Sequence, residues 1–417
     1  MNSSSDTQAC TLRSASHRPG KEVFKVAAVI SHPIQYFSPL FRQIAEHPSI
    51  DLTVYYTRDV GAREGYDKGF GVSYQWDTPV LEGHNYVLLS QGRSLEERIH
   101  REAAVRLWGA LSGGRYDAVW LHGYMQPENW IAFMAAAYSR TPVLLRGESN
   151  LLDQRTKLRS TVKTAFLRPL VRQAAACMYI GTANRKYYKH YGARESQLVQ
   201  MPYVVDNSFF SEWWARLLPR RNQIRQRFGI NDDAPVILAA GKLVPKKAPL
   251  DVLHAFARVQ TNVNCHLLFA GDGELRAVIE RTIRDESIPN VHITGFLNQS
   301  EMPMAYAAAN IQVLASRFQE TWGLTINEGM NFHLPVIVSD RVGCSQDLVH
   351  HGLNGYIFPA GDVDMLAYHL QQAVTQPAQL QVMGEESAAI ISKWGLPEAV
   401  DGLVSALRLT VTNRTST

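Results

Sequence analysis

Short, largely apolar runs recur along this chain, and stretches of helical period alternate with them. Val26–Ile30, Leu52–Tyr56, Asp117–Leu121, Pro142–Leu145 and Cys177–Ile180 read as strands. Pro39–Glu46, Leu95–Leu111 and Gln126–Ala137 read as helices between them. A strand that is apolar on both faces must be covered on both, which predicts parallel sheets clad in helices. The rhythm breaks from Asp206 to Asp232, where Trp213, Trp214, Pro219 and a basic cluster suggest an interdomain connection. It then restarts. Strands are expected at Val236–Ala240, His266–Ala270, Val291–Thr294, Ile311–Leu314 and Val336–Ser339. Helices are expected at Pro249–Gln260, Glu274–Asp285, Leu324–Asn331 and Asp364–Val374. A length of 417 residues is long for one hydrophobic core and suits two. The expected fold class is α/β: two tandem Rossmann-like doubly wound domains facing a central cleft. In such sheets ligands lie outside the C-terminal strand ends, so the cleft is the natural site.

The expected divisions are a disordered, polar tail at 1–22, an N-terminal domain at 23–205 and a C-terminal domain at 206–390. A last helix and tail at 391–417 is expected to cross back to the N-terminal domain. No stretch approaches the roughly 18 uninterrupted apolar residues of a membrane span. The first 20 residues carry no apolar core after a basic start, so no secretory leader is expected. Cys10, Cys177, Cys265 and Cys344 are far apart, which argues against a disulfide framework or a zinc site and suits a reducing cytosol.

Net charge is only +4, which predicts no polyanionic partner. Its distribution is uneven. Residues 151–230 hold fifteen basic side chains and four acidic ones, a surplus of eleven that leaves −7 for the remainder. Leu158, Val162, Phe166 and Leu170 repeat every four residues, with Arg155, Arg159 and Lys163 beside them. This predicts an amphipathic basic helix, ended or kinked at Pro169, whose apolar stripe packs on the core. The charges suggest an anionic membrane surface as partner through 151–230. No motif that reads nucleic acid accompanies them, so no nucleic-acid partner is expected.

Two motifs carry chemistry. Gly241-Lys242-Leu243-Val244-Pro245-Lys246-Lys247 follows a strand directly. A glycine admits close backbone approach, and two lysines can hold a diphosphate as point charges. A solvated turn with accidental lysines has the same appearance. The second is Glu320-Thr321-Trp322-Gly323-Leu324-Thr325-Ile326-Asn327-Glu328, two carboxylates straddling a loop-to-helix junction. A carboxylate accepts two hydrogen bonds and suits vicinal hydroxyls. An acidic pair beside a helix dipole would look alike.

The surroundings decide. Ser316-Arg317-Phe318-Gln319 leads into that second motif, and Asn327-Glu328-Gly329-Met330 and Pro335-Val336-Ile337-Val338-Ser339-Asp340 follow. Ala270-Gly271-Asp272-Gly273-Glu274-Leu275 precedes it, and His351 to Asp362 (HGLNGYIFPAGD) closes the set. In order and spacing these resemble the nucleotide-sugar half of the family 4 retaining glycosyltransferases of GT-B fold, from about Val236 to Leu370. Gly192 and Tyr203-Val204-Val205-Asp206 extend the resemblance toward the N-terminal half.

The resemblance implies a retaining, metal-independent glycosyltransferase that uses a nucleoside diphosphate (NDP)-sugar donor and no cofactor. Lys242 and Lys247 would neutralise the diphosphate as the sugar leaves, and Gly241 and Gly273 would let backbone approach it. Glu320 would lie near the donor sugar and Glu328 on the ribose. Backbone at Phe296 and Leu297 would meet the base. Backbone N–H groups after Trp322, at Gly323 and Leu324, would touch sugar and phosphates. His122 would face the donor sugar, although a histidine ending a strand beside Trp120 is as readily a packed structural residue. His32, Gln35, Arg146 and Glu148 are acceptor candidates, and Arg146 with Glu148 would equally make an internal ion pair.

The chain departs from the family at four places. Lys242 stands for an arginine, His333 for a glycine and Asp347 for a glutamate, and Ser31-His32-Pro33-Ile34-Gln35 replaces a glycine-rich loop. Asp362-Val363-Asp364 mimics a metal-binding pair but opens an apolar helix, so it reads as a cap. The acceptor expected is a glycan or lipid-linked saccharide of cell-surface polysaccharide assembly, met in the cytoplasm, on the inner face of the membrane. The alternatives are a nucleotide-sugar epimerase or sugar-phosphate synthase of the same fold, or a non-catalytic NDP-sugar-binding subunit.

Overall fold

The computed structural model describes residues 23–92, 101–153 and 157–415. The tail at 1–22 and the first part of the helix expected from Leu95 lie outside the described residues. The first sheet is parallel throughout. Its edge-to-edge order is Asn85–Leu88, Ile50–Tyr56, Phe24–Ile30, Ala118–His122, Val143–Arg146, Ala176–Tyr179, Leu198–Gln200. The second, also parallel, runs Val291–Ile293, His266–Ala270, Val236–Ala240, Ile311–Leu314, Val336–Ser339, Gly355–Phe358.

Each sheet reverses its strand order beside its first strand. Phe24–Ile30 lies between Ile50–Tyr56 and Ala118–His122, and Val236–Ala240 lies between His266–Ala270 and Ile311–Leu314. The turns after these two strands, Ser31–Gln35 and Gly241–Lys242, are thus the two switch points where doubly wound sheets bind ligands. Both domains are α/β as the apolar runs imply. Val26 to Ile30 are at most 1 % exposed because helices cover both faces.

Polar and aromatic contacts tie the halves together. The Asp347 carboxylate accepts the Thr182 backbone N–H and hydroxyl. Asn327 Nδ2 donates to the Tyr203 carbonyl, and Trp322 stacks on Trp394 at 5.5 Å. The helix Leu396–Thr415 packs against Phe37–Glu46 and the strands Ala176–Tyr179 and Leu198–Gln200 of the first domain.

Three expectations need correction. Asp206–Asp232 is not a linker. It forms helices Asn207–Leu217 and Arg221–Arg227, the first capped by Asp206 accepting the Phe209 N–H. Phe210, Leu217, Ile224 and Ile230 join the core around Val236, Tyr306 and Phe332, because aromatic bulk there is needed to cover the second sheet.

The basic helix spans Lys157–Gln173 and continues through Pro169. Its buried residues include Leu167, Leu170 and Val171, whereas Phe166 is 61 % exposed. The side chains of residues 157–160 and 162, and so the rest of the expected stripe, lie outside the described ones.

The surplus of positive charge is not one face. Arg225 is buried and donates to the Ala308 carbonyl and Asn310. Arg185 and Lys189 both pair with Glu195. A long cationic side chain can be consumed by carbonyls and carboxylates of its own fold.

Candidate active site

The strand Val236–Ala240 delivers Gly241 and Lys242 to its C-terminal end, and a short turn at Pro245–Lys247 follows. Gly273 sits at φ +155, and a Cβ there would lie 2.6 Å from the Leu243 carbonyl oxygen. That close approach keeps the two turns side by side. Gly323 at φ +104 turns the chain sharply into the helix Leu324–Met330. The turn leaves Glu320 on the loop and Glu328 inside the helix.

Lys247 forms an ion pair with Glu320, which also accepts from Ser316 Oγ at 2.9 Å. Burial opposes charge on Glu320, but Lys247, Ser316 and Lys246 outweigh it and hold the carboxyl below its usual range. Glu328 is 2 % exposed, and burial pushes its pKa up to about 7. Tyr306, Tyr36 and Gln299 donate to it and keep the rise from being larger.

Gly241, Lys242, Phe296, Leu297 and Glu328 line one interdomain cavity of about 330 Å³. Gln35 lines it too, so the structure groups Gln35 with the donor candidates. The opposite wall is a hairpin of the N-terminal domain, Gly65–Asp67 paired antiparallel with Val72–Tyr74. Asp67 pairs with Lys242 at 2.7 Å, Phe70 lies under the same ammonium, and Tyr74 stacks on Phe296 at 4.8 Å. This hairpin was not foreseen from the residue pattern, since each strand has only three residues. Its one signal is the Asp67-Lys68-Gly69-Phe70-Gly71 turn followed by alternate aromatics Tyr74 and Trp76. Tyr36, Tyr306 and Gln299 were missed as well.

The Trp322 ring does not face the cleft. It is buried, donates to Asn327 Oδ1 at 2.9 Å and stacks on Trp394, so its neighbourhood is held by a domain-joining side chain.

On the N-terminal side, a cavity of about 170 Å³ opens at the ends of the first sheet. Ser31, Thr57, His122, Asn129 and Glu148 are among its lining residues. His122 meets Glu148 at 3.3 Å and stands edge-on to Phe37 at 4.7 Å. Burial lowers the His122 pKa against the pull of Glu148, so its imidazole is neutral near pH 7. Burial works to raise Glu148, but His122, Arg146 and Tyr203 hold it low. Burial first, then Arg58 and His122, bring His32 down to about 4.

Arg146 does not stand at the surface of this cavity. It is 0 % exposed, lies between the rings of Phe37 and Tyr203 at 5.4 and 5.3 Å, and donates to the Pro202 carbonyl. As an acceptor contact it is corrected to a positioning residue behind Glu148. Asp362 caps its helix by accepting the Met365 N–H at 2.9 Å. His333 adopts φ +55, the backbone that a glycine would favour there.

The chain is similar to known proteins in the same terms. Residues 220–389 match the family Glycosyl transferases group 1. An α-D-kanosaminyltransferase of Streptomyces kanamyceticus is 26 % identical over 245 residues, 58 % of this chain and 62 % of that one. An N-acetyl-α-D-glucosaminyl L-malate synthase of Bacillus anthracis is 28 % identical over 40 % of this chain and 42 % of its own length. The match thus spans less than two thirds of either relative. Among solved structures, Anabaena Alr3699/HepE in complex with UDP and glucose superposes with TM-score 0.67 at 17 % identity. The superposition covers 94 % of this chain and all of that one. WaaG, a glycosyltransferase involved in lipopolysaccharide biosynthesis, gives 0.65 at 14 % over 92 % of this chain and 99 % of its own. At such identities the likeness is one of fold, and the fold is GT-B.

Proposed function

We propose that the protein transfers a sugar from an NDP-sugar with retention of configuration, a reading supported by the match of residues 220–389 to the glycosyl transferases group 1 family and by the GT-B fold. The observation that carries this reading is that Lys242 and Glu328 line one cavity at the switch point after Val236–Ala240, with Lys247, paired to Glu320, beside Gly241 and Lys242 at the end of the same strand. Glu328 accepts from the ribose hydroxyls, as it now accepts from tyrosine hydroxyls. Lys242 and Lys247 face the diphosphate. The bond from the anomeric carbon to the β-phosphate oxygen breaks, and negative charge collects on the diphosphate. Preorganised ammonium groups stabilise that charge most effectively. The acceptor hydroxyl attacks the same face and forms the new glycosidic bond, and its proton passes to the departing phosphate oxygen. The lysines supply the positive charge, so no metal is required.

His122 borders the sugar. A neutral imidazole can bond a sugar hydroxyl without placing a second positive charge beside an oxocarbenium-like centre. Glu148 and the cavity it lines receive the acceptor, with His32 bonded to the lining residue Ser31.

We also infer an acceptor linked to a lipid or growing polysaccharide, reached from the inner face of a membrane. Among the described residues no helix is long and apolar enough to cross one. Support for a surface contact comes from the helices Arg101–Ser112, Pro127–Tyr138 and Lys157–Gln173. They expose Trp108, Met134, Tyr138 and Phe166, with Arg168 and Arg172 on the same basic helix.

The test is incubation with a panel of labelled NDP-sugars, with and without acceptor fractions. Transfer that requires an acceptor and preserves the anomer supports the reading. Sugar isomerisation without acceptor would make the protein an epimerase.

A further inference from the structure

Three residues of the N-terminal hairpin enclose one lysine of the other domain. Asp67 holds Lys242 Nζ with both oxygens, at 2.7 and 2.8 Å. Phe70 lies under the same ammonium at 4.6 Å. Gly69 comes so close that a Cβ on it would meet Lys242 Nζ at 2.8 Å. The turn is fixed from within, because Asp67 Oδ1 also accepts the N–H groups of Gly69 and Phe70.

Two further contacts repeat the pattern. Tyr36, at the start of the first helix, gives its hydroxyl to Glu328. Tyr74 lays its ring on Phe296 with planes 29° apart, and Phe70 meets the same ring edge-on at 4.9 Å. A carboxylate on the lysine, a hydroxyl on the glutamate and a flat ring on the phenylalanine all come from the N-terminal half. All of these residues line the same cavity of about 330 Å³.

We propose that the N-terminal half competes with the donor for its own site, with Asp67, Tyr36 and Tyr74 imitating phosphate, ribose hydroxyl and base. The proposal rests on the reading of this cleft as a nucleotide-sugar site. Two anions cannot both own one half-buried ammonium, so a diphosphate arriving at Lys242 must release Asp67 and the hairpin with it. Donor affinity is then reduced by the fraction of time the site is released. The hairpin sets this fraction, and only an occupant that replaces all three contacts keeps it open. A sugar phosphate without a base replaces one.

The test compares wild type with Asp67→Asn and Tyr36→Phe. Asparagine still accepts from Gly69 and Phe70, so it keeps the turn and removes only the charge. UDP, GDP and ADP are titrated singly by calorimetry, and amide exchange of residues 65–74 is followed with and without the nucleotide that binds. A partly exposed ion pair is worth up to about 1 kcal/mol, and a hydrogen bond such as that of Tyr36 about as much, so each variant is expected to bind about three- to fivefold more tightly. Exchange of the hairpin is expected to speed up when nucleotide is added to wild type. Equal or weaker binding by both variants, or slower exchange, overturns the inference and makes the hairpin a clamp over the donor. Failure of every protein to bind any of the three nucleotides overturns the reading of the cleft itself.

Discussion

Lys247 and Glu320 lie 73 residues apart in the chain and form one ion pair at the C-terminal end of the second sheet. Each side chain keeps less than a fifth of its surface in water, so the pair depends on both partners. Removing one partner of such a pair costs more than the pair contributes, because the other is left charged and poorly solvated.

Lys247→Ala is therefore expected to lower transfer by about 10²- to 10³-fold, the cost of losing one preorganised charge at a developing anion. Glu320 then regains a proton more easily, which limits the loss of stability and leaves the fold intact. Lys247→Arg keeps the charge and should recover part of the rate. Turnover of an NDP-sugar and a thermal melt of each variant check this. Wild-type turnover in Lys247→Ala would remove the mechanism.

Gly323→Ala probes the turn between the two glutamates. At φ +104 an alanine is strained, and its Cβ would stand 2.8 Å from Leu314 Cδ2 and 3.1 Å from Val342 Cγ1. The expected destabilisation is about 1–3 kcal/mol. Transfer should fall by more than the folded fraction explains, since the strain moves Glu320 and Glu328 apart. A denaturant melt and kcat/KM measured where the variant is fully folded separate the two effects. Equal losses in both would mean that the turn only supports the fold.

Glu328 gives a pH signature. Burial raises its folded-state pKa to about 7 from the usual 4.5. Below 4.5 both states hold the proton and its contribution to stability is complete. Between 4.5 and 7 the unfolded chain releases a proton that the folded one keeps, so stability drains as pH rises. Above 7 the loss is constant, on the order of 3 kcal/mol. Urea melts of wild type and Glu328→Gln at several pH values isolate this group. Their difference should move against wild type from pH 4.5 to 8, and a flat difference would refute the burial account.

How far these residues could be read in advance depended on what each contact needs. Val26–Ile30 and Val236–Ala240 were legible because a strand buried on both faces must be apolar at every position. Lys247, Glu320 and Glu328 were legible through a motif, since their spacing is fixed by one turn and one short helix. The hairpin at Gly65–Tyr74 was not, because three-residue strands with half-polar faces leave no period to detect. Tyr36 was not, because its value lies in a glutamate 292 positions away. Arg225 misled for the opposite reason. Its charge was counted toward a surface, yet the side chain lies inside and satisfies the Ala308 carbonyl.

The membrane contact rests on exposed apolar rings. Trp108 meets Tyr138 at 5.9 Å and Trp130 meets Phe166 at 6.4 Å, which joins the outer faces of three helices. Each basic residue near an anionic leaflet adds about 1 kcal/mol, and each buried apolar Å² about 25 cal/mol. The charge part is screened by salt and the apolar part is not. Cosedimentation with phosphatidylglycerol vesicles should therefore weaken as salt is raised but keep a salt-resistant remainder. Tyr138→Ser with Phe166→Ser should remove that remainder, and Arg168→Gln with Arg172→Gln should flatten the salt dependence instead. Transfer to a small soluble acceptor should be unchanged in both pairs, because none of these side chains lines the cleft. If wild type ignores anionic vesicles at low salt, the membrane contact is wrong and the acceptor must reach the cleft through solution.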